Sequence, residues 1–582
     1  MVRNLIVVGF GILANARRSD LYASRDFFAL HLDGQTSPAD LALNLSIQYA
    51  GPIGELSGHH VFSAPKKKLT MDGLLSHQDI RWGTKLSTAT NLQRRRRPAS
   101  SEARLLGQPC PDAVAARERV ASTLGISDPT FGHQWHLFNT VQPGNDLNVT
   151  GVWLEGVTGE GVTTAVIDDG LDMDGLELQP NYYAGGSYDF NDDVPEPRPR
   201  LPDDHHGTLC AAEIAGAKND ICGIGVAYRS RVSGIRMLSG AVDDAEQAAA
   251  LNYDFQHNDI YSCSWGPADD GRTMAGPGAL VRRAVVNGVQ NGRGGRGSVF
   301  VFSAGNGAGR DDDCNFDGYA NSIYGITVGA VDRTGTRARY SEPCAAQLAV
   351  RGARVKPQAW LHSPWQQVDG DIPEGHEGLA SYYTTTPDML RRANLARLEH
   401  VTVTVNVDHG RRGDLSVDLV SPGGMVSHLS TPRMPDGQRA GYVDWEFMSV
   451  AHWGESGVGT WRLLVKDTNV NGLRGVFVNW RLNLWGEAID GSHQPRHPLP
   501  GEPQEYGTQA ATMTAAPLSF ETDASGAETF RAETFRASLA TKMPGYMGML
   551  AFAVSCSVAG LLIWNYSRRP CIRGHGRGRP SS

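Results

Sequence analysis

Short apolar runs alternating with small-residue segments dominate the chain between residues 128 and 350. Segments 162–167, 232–237, 260–264, 298–303 and 326–331 each read as a short strand bounded by Gly, Asp or Asn. Between them, 245–253 and 278–288 have the composition of helices. Strands alternating with helices build βαβ units, so the pattern predicts an α/β parallel sheet covered on both faces. Beyond Pro357 the period drops to two. VTVTVNVDH (401–409), DLSVDLVSP (414–422), TWRLLVKD (460–467) and VNWRLNLWGE (478–487) alternate as half-buried antiparallel strands do. They predict a separate all-β domain of sandwich or jelly-roll type over 357–489.

The flanks read differently. Residues 17–97 mix apolar runs such as FFALHL with loops and close on Arg94-Arg95-Arg96-Arg97. Such a run is either solvated charge or, at the end of a small amino-terminal unit, a cleavage site after Arg97. Residues 98–127 are polar and Ala-rich and are read as a linker. Residues 490–543, rich in Pro, Ser, Thr, Ala and Glu, read as a flexible stalk. Residues 1–16 carry Arg3, an apolar core and Ala14-Asn15-Ala16, the layout of a secretory signal peptide. Residues 546–566 are almost wholly apolar or small, and about twenty such residues span a bilayer. Arg568 and Arg569 then place the tail, 567–582, in the cytosol. The expected organisation is a single-pass type I membrane protein of the secretory pathway.

Composition narrows this further. A chain of 582 residues is too long for one core. A net charge of −8 argues against nucleic acid as a partner and leaves acidic surface for basic ones. Eight cysteines suit an oxidising lumen without making a disulfide-built scaffold, and Asn44 and Asn148 lie in glycosylation sequons.

The chemistry begins at Asp168-Asp169, which end the first strand, where open α/β sheets carry their active residues. Asp203-Asp204-His205-His206-Gly207-Thr208 then leads into a helix. Either piece alone also fits a structural aspartate and a helix-capping histidine; together they supply the acid and base of a charge-relay triad. YSCSWGPADDG (261–271) ends in two carboxylates, SAGNG (303–307) places Asn306 after a strand, and CNFDGY (314–319) adds Asp317. In combination, IDDGLD, DDHHGT, YSCSWGPADDG and SAGNG closely resemble the kexin/furin group of subtilisin-like proprotein convertases, fungal kexins above all. WEFMSVAHWGE and GVGTWRLLVKD resemble the P domain that accompanies these proteases.

The resemblance implies a subtilisin-like catalytic domain over 128–350, a propeptide over 17–97 and a P domain over 357–489. It implies Asp168 as triad acid, His206 as general base and Asn306 as oxyanion donor. It implies Asp269 and Asp317 as the pocket for the arginine before the scissile bond, and Asp169 and Asp203 as the neighbouring pocket. Calcium is implied at two sites, one from Asp128, Glu177 and Asn219, the other from Asp269, Asp312 and Glu342. Glu177 stands where the family usually has an aspartate. A Cys314–Cys344 disulfide is implied, whereas the family partner of Cys222 has no counterpart in the domain. The partners implied are secreted proproteins with paired basic sites and the chain's own propeptide, in a Golgi membrane. One part is missing. The family's nucleophile lies in a Gly-Thr-Ser segment, and no Gly-Thr-Ser occurs in the chain. After Ala346 the text passes almost directly to GARVKPQAW, the lead-in to the P domain. Two readings follow: a kexin-type protease whose sequence lacks a block, or a pseudoprotease that binds basic peptides. A degenerate adhesion protein is a third and weaker reading.

Overall fold

The computed structural model describes residues 21–87, 92–95, 107–347, 358–375, 377–494 and 496–501. The expected signal peptide and membrane-spanning helix, almost all of the stalk, and Arg97 lie outside these residues. Among the described residues no helix is long and apolar enough to cross a membrane.

The amino-terminal unit is a four-stranded antiparallel sheet, ordered β2-β3-β1-β4. Its strands are β1 (Arg25–Leu32), β2 (Gln48–Pro52), β3 (His59–Pro65) and β4 (Ile80–Lys85). The FFALHL run is apolar at every position but one because β1 is buried on both faces. Phe28 and Leu30 face Leu41, Phe62 and Leu74 within the unit, whereas Phe27 and Ala29 join a core shared with Ala248, Leu251, Val281 and Val285 of the central domain. A two-residue strand β5 (Gln93–Arg94) follows.

The central sheet is parallel and ordered β12-β11-β9-β6-β8-β7. It comprises β6 (Thr163–Asp168), β7 (Tyr188–Asp189), β8 (Arg231–Arg236), β9 (Ile260–Cys263), β11 (Val299–Ser303) and β12 (Gly325–Val328); β10 (Trp265–Gly266) pairs with β5 instead. β6 lies near the middle, with every residue buried. Ala165 and Ile167 face the helices Asp244–Ala250 and Ala279–Gly295, and Val166 faces the helix His206–Ala215. The expected strands and helices are present with ends shifted by a few residues. The linker region holds a helix, Pro111–Leu124, that its pattern hides. Ala113 is its only fully buried residue, so no apolar stripe marks it. Cys314 and Cys344 form a disulfide.

The carboxyl-terminal domain is a sandwich of two antiparallel sheets, as the period of two predicts. One sheet runs β13-β21-β16-β19 with β14 beside β21, the other β15-β20-β17-β18. The strands are β13 (Gln358–His362), β14 (Gln366–Ile372), β15 (Leu379–Thr385), β16 (Leu395–His409), β17 (Leu415–Val420), β18 (Val426–Ser430), β19 (Tyr442–Ser449), β20 (Gly459–Asp467) and β21 (Gly475–Ala488). Val401, Val403, Val405 and Val407 point into the core with Trp461 and Trp480, and Phe316 of the central domain enters the same core.

Two features tie the domains together. Arg433, buried in the loop after β18, lies 3.6 Å over the Phe316 ring and donates to Asp312 (3.2 Å), Asp436 (2.6 Å) and the Thr273 carbonyl (2.9 Å). Residues 496–501, expected at the start of the stalk, instead form a strap across the molecule. The His497 ring sits against Trp360 and Trp485. Gln290 donates to the His497 carbonyl (2.6 Å), Arg283 to that of Pro500 (3.4 Å), and Gly501 reaches Trp82 of the amino-terminal unit.

Candidate active site

The carboxyl end of β6 delivers Asp168, fully buried, and the first turn of the helix His206–Ala215 delivers His206. Both Asp168 oxygens lie 2.9 Å from His206 Nδ1. The helix start is itself held by Asp169, whose carboxylate accepts from the backbone amides of His206 (3.1 Å) and Gly207 (2.7 Å). A carboxylate suits a helix N-terminus because orphan N–H groups and the positive end of the dipole meet there. Gly207 is required for this approach, since a Cβ would lie 2.9 Å from that of Asp168. Burial pulls the imidazole down, but the Asp168 carboxylate outweighs it and holds His206 well above its usual value. Burial raises Asp168.

Cys210, one turn along the same helix, places its sulfur 3.9 and 4.0 Å from the His206 ring nitrogens. Among the described residues no hydroxyl group lies within hydrogen-bonding distance of that ring. Asn306 follows β11, and its backbone amide donates to Asp269 (2.9 Å).

Two acidic pockets flank the pair, and both are filled by the chain itself. Arg95 is 2% exposed. It donates to Asp317 (2.5 Å), Asp269 (3.3 Å), the Ser303 hydroxyl (3.4 Å) and the Ser303 carbonyl. Burial would lower the guanidinium, but Asp269, Asp317 and Glu342 raise it instead. Gly266 lets the guanidinium lie flat against the strand, where a Cβ would meet Asp317 at 2.6 Å. Arg94 donates to Asp169 (2.6 Å), Asp203 (2.9 Å) and Asp204 (3.3 Å). Sequence reasoning missed Asp204; its place inside DDHHGT was the available signal. It is buried, and Arg236 holds it from behind at 3.2 Å. Arg95 occupies the pocket assigned to the residue before the scissile bond, and the expected cleavage site at Arg97 lies outside the described residues.

Of the expected metal ligands, Asp128 neighbours Glu177 and Asn219, and Glu342 neighbours Asp269 and Asp312, but among the described residues the acidic, histidine and cysteine ligand atoms that converge within 4.8 Å are those of Asp168, His206 and Cys210. Asp128 accepts from the Asn219 amide (3.2 Å), whereas its other oxygen and both Glu177 oxygens are buried without a hydrogen-bond partner among the described residues. Burial, and then the neighbouring Asp128, push Glu177 up to about 8. Burial, with Asp312 and Asp269 nearby, pushes Glu342 well above the carboxylate range. Glu342 accepts from the Gly307 amide and Asp312 from that of Gly271, each at 2.8 Å.

Comparisons agree with this architecture. The Subtilase family model matches residues 159–433 and the Proprotein convertase P-domain model residues 398–484. Protease KEX1 of Kluyveromyces lactis is 37% identical, with 84% of this chain and 76% of the relative covered. Kexin of Saccharomyces cerevisiae is 35% identical, covering 86% and 73%. Human proprotein convertase subtilisin/kexin type 7 is 34% identical, covering 77% and 68%. Among solved structures, the serine protease of Aeromonas sobria shares the fold at a TM-score of 0.53 and 18% identity, covering 68% of this chain and all of that one. An Asp–His pair on a parallel sheet, acidic pockets seating the chain's own arginines, and relatives aligned over most of both chains lead to one assignment: the chain belongs to the kexin/furin family of subtilisin-like proprotein convertases.

Proposed function

We propose that the chain derives from a calcium-dependent serine endopeptidase that cuts secretory proproteins after paired basic residues, and that in the sequence as it stands the nucleophile is absent. One observation carries the specificity: two adjacent arginines lie in two adjacent acidic pockets beside the Asp168–His206 pair. A buried guanidinium needs fixed carboxylates, and a neutral side chain in either pocket would leave them unpaired.

In such a site Asp168 fixes the tautomer of His206 and stabilises the imidazolium. His206 takes the proton from the nucleophile and returns it to the leaving amine. Asn306 donates to the developing oxyanion. Without a serine hydroxyl at His206 no acyl-enzyme forms, and this polypeptide is expected to cleave nothing at a useful rate. Both sites offer only oxygen donors, which suits calcium, and at the first of them three oxygens, one of Asp128 and both of Glu177, are otherwise orphaned. Bound by Asp269, Asp312 and Glu342, calcium would supply charge neutralisation beside the specificity pocket. Asp128, Glu177 and Asn219 would hold one ion, and Asp269, Asp312 and Glu342 the other. Anchoring by 546–566 and Golgi residence belong to the same reading.

The retained acid, base and both pockets favour a missing block over a long-lost activity, since an abandoned site has no need of them. The alternative is a pseudoprotease that binds basic peptides. Sequencing the transcript across the junction of Ala346 and Ala359 decides between them. An in-frame block encoding Gly-Thr-Ser restores the protease. Direct joining, with calcium-dependent cleavage of an Arg-Arg peptide nonetheless, would refute the claim that the nucleophile is absent. Direct joining without cleavage identifies the pseudoenzyme.

A further inference from the structure

Four consecutive arginines offer a paired-basic pocket three possible registers, and their side chains are chemically identical. We infer that the first pair, Arg94-Arg95, is the chain's own ligand for the two acidic pockets, so that the bond presented beside His206 follows Arg95 and not Arg97. This rests on the pocket assignment made above, and the experiment below separates the two.

The backbone fixes the register first. β5 pairs antiparallel with β10, Arg94 opposite Trp265 and Gln93 opposite Gly266, and the Arg95 amide donates to the Ser264 carbonyl (3.0 Å). A slip of one residue would turn every side chain to the opposite face. A slip of two, which would bring Arg97 to the place of Arg95, moves the strand by roughly 6.6 Å. It would also draw Leu92 out of the apolar cluster shared by the amino-terminal unit and the central domain, and put Arg94 there. Burying an unpaired guanidinium in that cluster is far more costly than keeping it paired.

The side chains agree. The two guanidiniums together meet five carboxylates, those of Asp169, Asp203 and Asp204 around Arg94 and of Asp269 and Asp317 around Arg95. The bond after Arg97 is also chemically the poorest candidate. It leads into Pro98, whose nitrogen carries no N–H and whose ring crowds the backbone of Arg97. Hydrolysis after Arg95 would add water across that bond, leaving a carboxylate on Arg95 and an amine on the next residue. While the chain stays continuous there, the pockets are occupied intramolecularly, and a free dibasic peptide competes against an effective concentration in the millimolar range.

The test is arginine modification by phenylglyoxal on the full chain, located by mass spectrometry, native against urea-unfolded. Arg94 and Arg95 are expected to react about tenfold more slowly, or slower still, in the native chain. In the double variant Asp269→Asn, Asp317→Asn, still folded by circular dichroism, Arg95 should become reactive. Protection of Arg97 with Arg95 reactive overturns the register, and no protection of either Arg94 or Arg95 overturns self-occupation. Persistent protection of Arg95 in the folded double variant also overturns the assignment; should that variant not fold, the native pattern alone decides. A labelled Lys-Arg peptide examines the underlying reading separately. It should bind the Arg94→Ala, Arg95→Ala chain about tenfold or more tighter than the parent. Protected arginines with no peptide binding by that variant would leave the register standing and remove the dibasic specificity.

Discussion

Replacing Arg433 by methionine cuts the contact between the β-sandwich and the acidic cluster next to the specificity pocket. Methionine keeps much of the side-chain volume over Phe316 but removes the donors to Asp312, Asp436 and the Thr273 carbonyl. Asp436 is still held by Arg412 at 2.7 Å. Asp312 keeps the backbone amides of Gly271 (2.8 Å) and Asp313 (3.0 Å) but loses its ion pair with Arg433. Removing one partner of a buried ion pair costs about 3–5 kcal/mol, and the amides that Asp312 retains place this case near 3. At about 2–4 °C per kcal/mol for a unit of this size, melting should fall by roughly 6–12 °C. The sign of the calcium effect is fixed as well. Asp269, Asp312 and Glu342 share the cluster, so without Arg433 they depend more heavily on a bound cation. The drop should therefore be larger in EDTA than in calcium, and Arg433→Lys, which keeps the charge but loses the fork, should fall in between. The assay is thermal unfolding of the full chain followed by circular dichroism. A shift within about 1 °C of the parent, or an equal drop in both buffers, would refute the reasoning.

Three further outcomes are expected. Glu177 holds a proton in the folded chain up to about 8 that the unfolded chain loses above about 4.5. Without calcium, stability should thus fall as pH rises through that window, whereas Glu177→Gln should flatten the profile and calcium should suppress it. Removing the Cys314–Cys344 disulfide, which spans 30 residues, should cost about 3.6 kcal/mol by loop entropy, measurable as a lower urea midpoint of Cys314→Ala, Cys344→Ala. Asp204→Asn should expose Arg94 to phenylglyoxal less than Asp169→Asn does, because its contact is longer, 3.3 against 2.6 Å. The reverse order would mean that Asp204 dominates the pocket.

Much of this was legible in the text of the chain. The run ending in Asp168-Asp169 announces a buried strand because β6 is buried on both faces. The alternation of VTVTVNVDH survives as a row of valines in the sandwich core. What stayed hidden depends on partners distant in sequence. The helix Pro111–Leu124 buries too little to show a stripe. Asp204 becomes a pocket residue only because Arg236 and Arg94, 32 and 110 positions away, converge on it. The register of four identical arginines is set by Leu92 and by the Ser264 carbonyl, not by the arginines themselves. The strap at 496–501 reads as plain stalk because its partners, Trp360, Trp485 and Arg283, belong to three other elements.

That strap imposes an order in time. Proteins emerge from the ribosome amino end first and fold domain by domain. Here Trp82 is flanked by Arg283, at 4.2 Å over its ring, and by Gly501, which is made more than four hundred residues later. The amino-terminal unit can build its own sheet early, but its outer tryptophan gains its last neighbour only once the sandwich is complete and residues 496–501 have emerged. Synthesis stopped anywhere in the sandwich leaves the first domain unsealed, so an unfinished chain carries at its oldest end a mark of being unfinished.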